Sequence, residues 1–498
     1  MGALKQLAGE TALYGVSSIF GRLLNYFLVP LHTAIFIPSE FGSITLLYSY
    51  VAVFNVLYTY GLETAYFRFI TKSRDPKIYD LACTSVLSSS LVFSAILIYF
   101  APDIARLLGE PGKGYIIQWL AVILFVDAFS SIPFAKLRIE NRPLKFVIAK
   151  LGNILLIVFF NILFLLVFKG IYEERFLVSL KPFIGDIYTP GLGIGYVFLA
   201  NLLGSAGLLF FLFSEIKKFS FYFNWTTLKP ILIYSIPIMI TGLSGMLNDN
   251  LDKIMIASYL PADFYPQHNP QGALGIYGAV FKLSVFMMLG IQAFRYAGEP
   301  FFFSQAERRD SAMLYASVFH YFVVAGSVLM IAVSVNADLI AFVFLRNPEF
   351  RLALYLLPYL LLAKLFFGMY INISIWYKLT DKTMYGVYFS VAGTIITLVL
   401  NLILLPIIGY LGSVIAMLSC YSSMCVLAYY FGQRIYPVPY KLWPVFAYLA
   451  ISTIFSVGSF FVQHTSFAVD SALNIAFTIV FTGIIFLFEK KRWKRNHA

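Results

Sequence analysis

An all-α integral membrane fold with about fourteen transmembrane helices is what this sequence predicts, and three observations carry that expectation. Of its 498 residues 60% are hydrophobic and only 12% are charged, whereas a soluble chain needs about a quarter of its residues charged to solvate its surface. Apolar runs recur along the whole chain at about the 20 residues that cross roughly 30 Å of hydrocarbon as a helix. The period-two alternation of an outer-membrane barrel, in segments of about 10 residues, is missing.

Between polar punctuations the helices fall near residues 11–37, 41–66, 82–101, 114–135, 144–169, 190–214, 230–260, 273–297, 313–335, 352–376, 385–406, 410–432, 442–463 and 468–488. The longest connection, from Lys169 to Pro190, has about 20 residues, which leaves no room for a soluble domain. The first apolar segment lacks a short apolar core followed by a small-residue cleavage site, so it is expected to stay in place as an insertion signal. Cys83, Cys420 and Cys425 all lie in apolar segments, where cysteine acts as a small buried side chain and implies no disulfide framework.

Orientation follows from lysine and arginine, which are retained in cytoplasmic loops. Alternate loops carry 24 of the 36 basic residues, among them Lys136, Arg138, Arg142 and Lys145, and a C-terminal cluster from Lys490 to Arg495; the opposite set, which includes Lys169, Arg175 and Lys181, carries 7. Both termini are therefore expected on the cytoplasmic side of a bacterial inner membrane, which requires an even number of spans. This bias accounts for the net charge of +12, so no nucleic-acid partner is implied. The terminal cluster reads as a topology anchor beside anionic headgroups.

The chain also repeats itself. IPSEFGSI at Ile37–Ile44 has a counterpart in LPADF at Leu260–Phe264, continued after an insertion by LGIYG at Leu274–Gly278, and matching Pro38 to Pro261 superposes Asn25 on Asn248. A repeat with an even number of spans keeps its orientation, so its copies are related by an axis along the membrane normal. Two six-helix lobes are thus expected, residues 1–215 and 216–435, with two further helices and a basic tail over 436–498.

Specific motifs then add a family. LVPLHTAIFIPSEFG (28–42), TYGLETAYFRFI (59–70), KLRIENRPLKF (136–146), NLDKIMIASYL (250–260), LGIYGAVFKL (274–283) and AFRYAGEPFFFS (293–304) resemble the polysaccharide-transporter family. That family contains the O-antigen flippases and shares a superfamily with the lipid II flippases and the MATE exporters. The resemblance runs from about residue 10 to 430. It implies a MATE-like, two-lobed alternating-access transporter that carries undecaprenyl-diphosphate-linked oligosaccharide across the bilayer. A glycan polymerase or other assembly proteins are the partners it suggests. The glycan itself is not fixed.

Ionisable side chains near the bilayer centre cost at least about 2.5–3.5 kcal/mol and so face a wet cavity or a partner. The basic ones are Arg22, Lys150, Lys253, Lys282 and Lys364. Arg22, Lys282 and Lys364 are expected to line one water-filled cavity; Lys150 can join them or snorkel to its helix end. Lys253 follows Asp249 by four residues and adjoins Asp252, the spacing of a structural ion pair. The acidic candidates are Glu63, which can pair with Arg68 or a neighbouring helix, and Asp127, which can answer Arg22 or Lys150; either is a candidate for ion coupling. A surplus of bases suits a diphosphate, since Arg offers a bidentate fork and Lys a point charge. The resemblance adds that a basic residue in the first helix of lipid II flippases is important, and Arg22 occupies a comparable place. Pro30 and Pro237 interrupt the helices that open the two repeats, where a kink would help a lobe bend.

Two other classes compete. A MATE-type ion-coupled exporter of cationic small molecules would expose carboxylates, yet nothing acidic lies between Glu10 and Glu40, where many MATE first helices carry one. A membrane enzyme of glycan assembly needs a constellation of acid, base or nucleophile. The five histidines, His32, His268, His320, His464 and His497, are scattered without metal spacing. No GxxxxGK[ST] loop for ATP occurs. The sequence therefore reads as a transporter without metal or cofactor, not an enzyme.

Overall fold

The computed structural model of the chain describes residues 20–21, 23–24, 26–305, 308, 310–462 and 466–497. Among them the sole strand-like pairing is an isolated bridge between Tyr265 and His268, and helices make up nearly everything else.

Helix α1 (Leu28–Ile35) stops at Phe36, which is extended, because Pro38 follows two residues later and disfavours helical backbone just before itself. Pro38 then opens α2 (Pro38–Thr59), and the Ile37 amide donates to Glu40 Oε2 at 3.2 Å, a carboxylate answering an orphan donor of the first turn. The left-handed pair Tyr60 and Gly61 separates α2 from α3 (Leu62–Ser73). A Cβ at Gly61 would lie 2.8 Å from the Ser235 carbonyl, so only glycine suits that turn. Next come α4 (Lys77–Tyr99), α5 (Ala101–Leu107), α6 (Gly114–Ile139), and α7 (Pro143–Ile162), which runs through a π turn at Leu163–Phe168 into α8 (Lys169–Tyr172). After α9 (Lys181–Gly185) the chain continues as α10 (Gly195–Ile216), α11 (Trp225–Tyr259), α12 (Pro270–Leu283) and α13 (Val285–Ser304). The remainder is α14 (Ser311–Val335), α15 (Ala337–Phe344), α16 (Leu357–Ile373), α17 (Ile375–Leu379), α18 (Met384–Ile408), α19 (Tyr410–Ile435), α20 (Leu442–Gly458) and α21 (Phe467–His497).

By length and composition 12 helices among the described residues are able to cross a membrane, and α12 with α13, bent by 41° at Ser284, would form a thirteenth. The spans match the expected ones to within a few residues at most ends. The fourteenth, near 11–37, lies largely outside the described residues. The apolar stretch of the last span, Phe467–Arg492, has no buried residue; Ile479, Val480, Ile484, Phe486 and Leu487 all face outward. Such a surface is stable only in hydrocarbon, so the chain is a multi-pass membrane protein.

The contacts divide it into two compact units, Met1–Phe36 with Ser43–Ser258, and Ile37–Gly42 with Tyr259–Ala498. Helix α11, expected to open the second lobe, groups by contact with the first unit. In the first unit α4 packs on α6, and α10 packs on both α6 and α7. One core cluster gathers Ile44, Leu47, Ile116, Phe164 and Phe198, and another gathers Tyr58, Leu62, Leu81, Leu124 and Ile231. In the second unit α19 packs against α16 and α18, while α14 packs against α16, α20 and α21.

The opening turn of α2 belongs to the second unit, where it meets α12 backbone to backbone. A Cβ at Gly42 would lie 1.8 Å from the Gln271 carbonyl oxygen, and a Cβ at Gly275 would lie 1.8 Å from that of Pro38. The contact is reciprocal, glycine for glycine. It joins the two stretches of sequence, 37–44 and 274–278, that read as copies of one repeat.

Candidate functional site

Lys282 and Lys364 both belong to the second unit, and each ammonium rests on an aromatic ring. Lys282 sits in the last turn of α12 with its ammonium 4.5 Å from the Phe41 ring centre, and Phe41 is itself held edge-on by Phe350 at 5.3 Å. Lys364, 2% exposed at the middle of α16, lies 4.8 Å from the centre of Phe281 and 5.7 Å from that of Tyr421. Both ammonium groups thus rest on aromatic faces, an attraction of about 0.5–2 kcal/mol that offsets part of the desolvation of a cation.

The other candidates lie in the first unit. Asp127 on α6 accepts a hydrogen bond from Ser205 on α10 at 3.1 Å, and Lys150 on α7 is its electrostatic neighbour, so of the two bases open to it from sequence Lys150 is one that answers. Lys150 also lies 5.9 Å from the Phe134 ring centre and is exposed along α7. Glu63 pairs with Arg138 of α6, whose guanidinium covers Phe67 at 4.8 Å. Arg68 instead lies over Tyr234 at 4.2 Å. Arg22 lies outside the described residues. Lys253 is buried in α11 and contacts the Asp252 carboxylate at 3.2 Å, which fits the structural ion pair read from its spacing. His32 meets Asn161 Oδ1 at 3.0 Å inside the first unit.

Two clusters escaped the sequence. Glu215 at the end of α10 has no exposed side-chain surface and draws in Lys145 at 2.7 Å, Lys218 at 3.3 Å, Arg142 at 3.4 Å and Lys136 at 3.7 Å. Its carbonyl accepts from Tyr79 at 3.0 Å. The signal available was a lone acid at a span end on the same face as the basic loop 136–145. In the second unit Glu489 of α21 meets His320 of α14 at 3.1 Å and Tyr448 of α20 at 2.5 Å, with Arg492 at 3.5 Å. No local pattern announces that cluster, since His320 and Glu489 are 169 residues apart. Among the described residues no group of three or more His, Cys, Asp or Glu side chains is spaced to hold a metal ion.

Comparison with solved structures decides the fold. Lipid II flippase MurJ in an inward closed conformation superposes with a TM-score of 0.73 at 13% identity, over 98% of this chain and 100% of that one. The chain has the fold of the MOP superfamily. An inward-facing multidrug resistance MATE transporter of that superfamily matches at a TM-score of 0.59 and 14% identity, over 83% of this chain and 94% of its own. A MATE in the bent conformation matches at 0.56 and 13%, over 91% and 99%. Residues 34–173 of this chain also match the profile of a family described as "Polysaccharide biosynthesis protein", the stretch that holds Glu63, Asp127 and Lys150. No curated protein sequence matches it.

Proposed function

We propose that the chain is a flippase for a polyprenyl-diphosphate-linked oligosaccharide, working by alternating access in the bacterial inner membrane with both termini cytoplasmic. The observation that carries this reading is the pair of interior cations, Lys282 and Lys364, held on aromatic faces inside a MOP-type fold. A diphosphate offers two adjacent negative charges, and desolvated lysines bind it as point charges. The match of residues 34–173 to a polysaccharide-biosynthesis family supports a glycan as the cargo. In this reading Arg22 and Lys150 contribute further positive charge, and Asp127 is the carboxylate through which an ion gradient couples. Glu63 is a weaker candidate for coupling, because Arg138 already neutralises it. The lobes 1–215 and 216–435 are the moving bodies and 436–498 is appended to them.

The experiment is removal of the protein followed by assay of lipid-linked glycans on the two faces of the membrane. Accumulation of one such glycan on the cytoplasmic face supports the proposal. Unchanged glycan distribution together with altered sensitivity to cationic drugs would replace it with a MATE-type exporter. In the restored strain Lys364→Met and Lys282→Met should each lower export at least tenfold with insertion unchanged, and Lys364→Arg should retain part of it because charge persists while shape does not.

A further inference from the structure

The segment that joins the span ending at Tyr172 to the one beginning at Gly195 has two faces. Ile184, Tyr188 and Leu192, four residues apart, turn toward the core of the first unit; Tyr188 stacks on Tyr196 at 4.9 Å and packs against Tyr172 at 5.5 Å. Burial there pushes the Tyr188 hydroxyl up to about 12. Leu180, Phe183 and Ile187 turn the other way and are 42%, 71% and 65% exposed. Phe176, Leu177 and Val178 are exposed as well.

This segment is folded in place. The Phe176 ring covers Gly170, where a Cβ would come within 2.4 Å of it, and the Thr189 amide donates to the Tyr196 hydroxyl at 2.7 Å. Its charges cancel one another. Glu173 pairs with Arg175 at 2.7 Å and Lys169 at 3.9 Å, and Glu174 pairs with Lys181; with Asp186, exposed beside Ile187, the acids equal the bases over residues 169–186. The stripe also continues an established lipid-facing row. Leu155, Phe159, Ile162 and Leu166 line one face of the preceding span and are exposed, and Phe176 lies over Gly170, one turn beyond Leu166. A short amphipathic element anchored at two span ends, charge-balanced and apolar outward, is built to lie in a membrane interface, where such faces sit about 5–10 Å into the headgroup and acyl boundary.

We infer that residues 176–187 lie in the plane of the bilayer, with Leu180, Phe183 and Ile187 among the acyl chains of the leaflet at that face. Its partner is the lipid surface itself. Insertion displaces headgroups on one leaflet beside the first unit. The inference does not depend on the cargo, only on the membrane fold, and the charge bias assigns the leaflet as the outer one.

The test uses the full chain in liposomes of phosphatidylcholine and phosphatidylglycerol. Phe183→Cys and, separately, Ile187→Cys are labelled with a small environment-sensitive fluorophore, the native cysteines being buried. Lipids carrying a nitroxide high on the acyl chain should quench both probes at least twofold, and aqueous iodide should leave them nearly unchanged. Quenching by iodide without quenching by lipid would overturn the inference. So would protection from both quenchers, which would mean that a second copy or another protein covers the stripe. Because the readout is depth and not transport, it separates failure of this inference from failure of the flippase reading.

Discussion

Glu215 shows what a single residue does at the end of a span. Its carboxylate is fully enclosed and four cations converge on it from the loop 136–145 and from Lys218, so it ties the ends of α6, α7 and α10 at one face. Removing one member of a buried charge cluster costs about 3–5 kcal/mol when the partners are dry. Here Arg142 and Lys218 reach solvent, and screening lowers the figure. Glu215→Gln is therefore expected to destabilise the first unit by about 3 kcal/mol or less, read as a fall of several degrees in the melting temperature of detergent-solubilised protein. Glu215→Asp should fall between the two. A melting temperature unchanged in Glu215→Gln would show that the four cations need no counter-ion there. Glu63 gives a second test at this scale: if its role is the ion pair with Arg138, the exchanged pair Glu63→Arg with Arg138→Glu should recover stability that either single change loses.

At the scale of helices, α2 and α12 meet backbone to backbone in the second unit. Both Gly42 and Gly275 place their missing Cβ 1.8 Å from a carbonyl oxygen of the facing helix, so alanine at either position forces the backbones apart. Overpacking of this kind typically costs about 1–3 kcal/mol. Gly42→Ala and Gly275→Ala are each expected to lower thermal stability and export. Gly483→Ala, on the last span where nothing lies within 4 Å, should change neither. Equal behaviour of all three variants would mean that the crossing is loose in the membrane.

For the whole molecule, the expectation open to direct measurement is orientation. The loop 173–194 lies on the face opposite to the dense lysines and arginines, which the charge rule places outside. Gly191→Cys puts a thiol where a Cβ meets no neighbour, and an impermeant maleimide should label it in intact cells. Labelling only after permeabilisation would invert the topology and the direction of transport with it.

The sequence by itself determined the spans, because an apolar run of helical length in a chain this poor in charge has no other stable solution than lipid. It also picked out the cations at mid-span, since the cost of burying a charge is local to the residue. What it left open was every pairing across helices. Whether Glu63 met Arg68 or a neighbouring helix, and which base answered Asp127, turned on which helices touch, and apolar faces of similar hydropathy do not specify a neighbour. The same holds for His320 and Glu489, and for the four cations on Glu215. The repeat was legible as two short motifs, but that Gly42 and Gly275 touch each other was not. Close approach of two backbones depends on the crossing of helices far apart in the chain, and only the tertiary structure decides where that crossing falls.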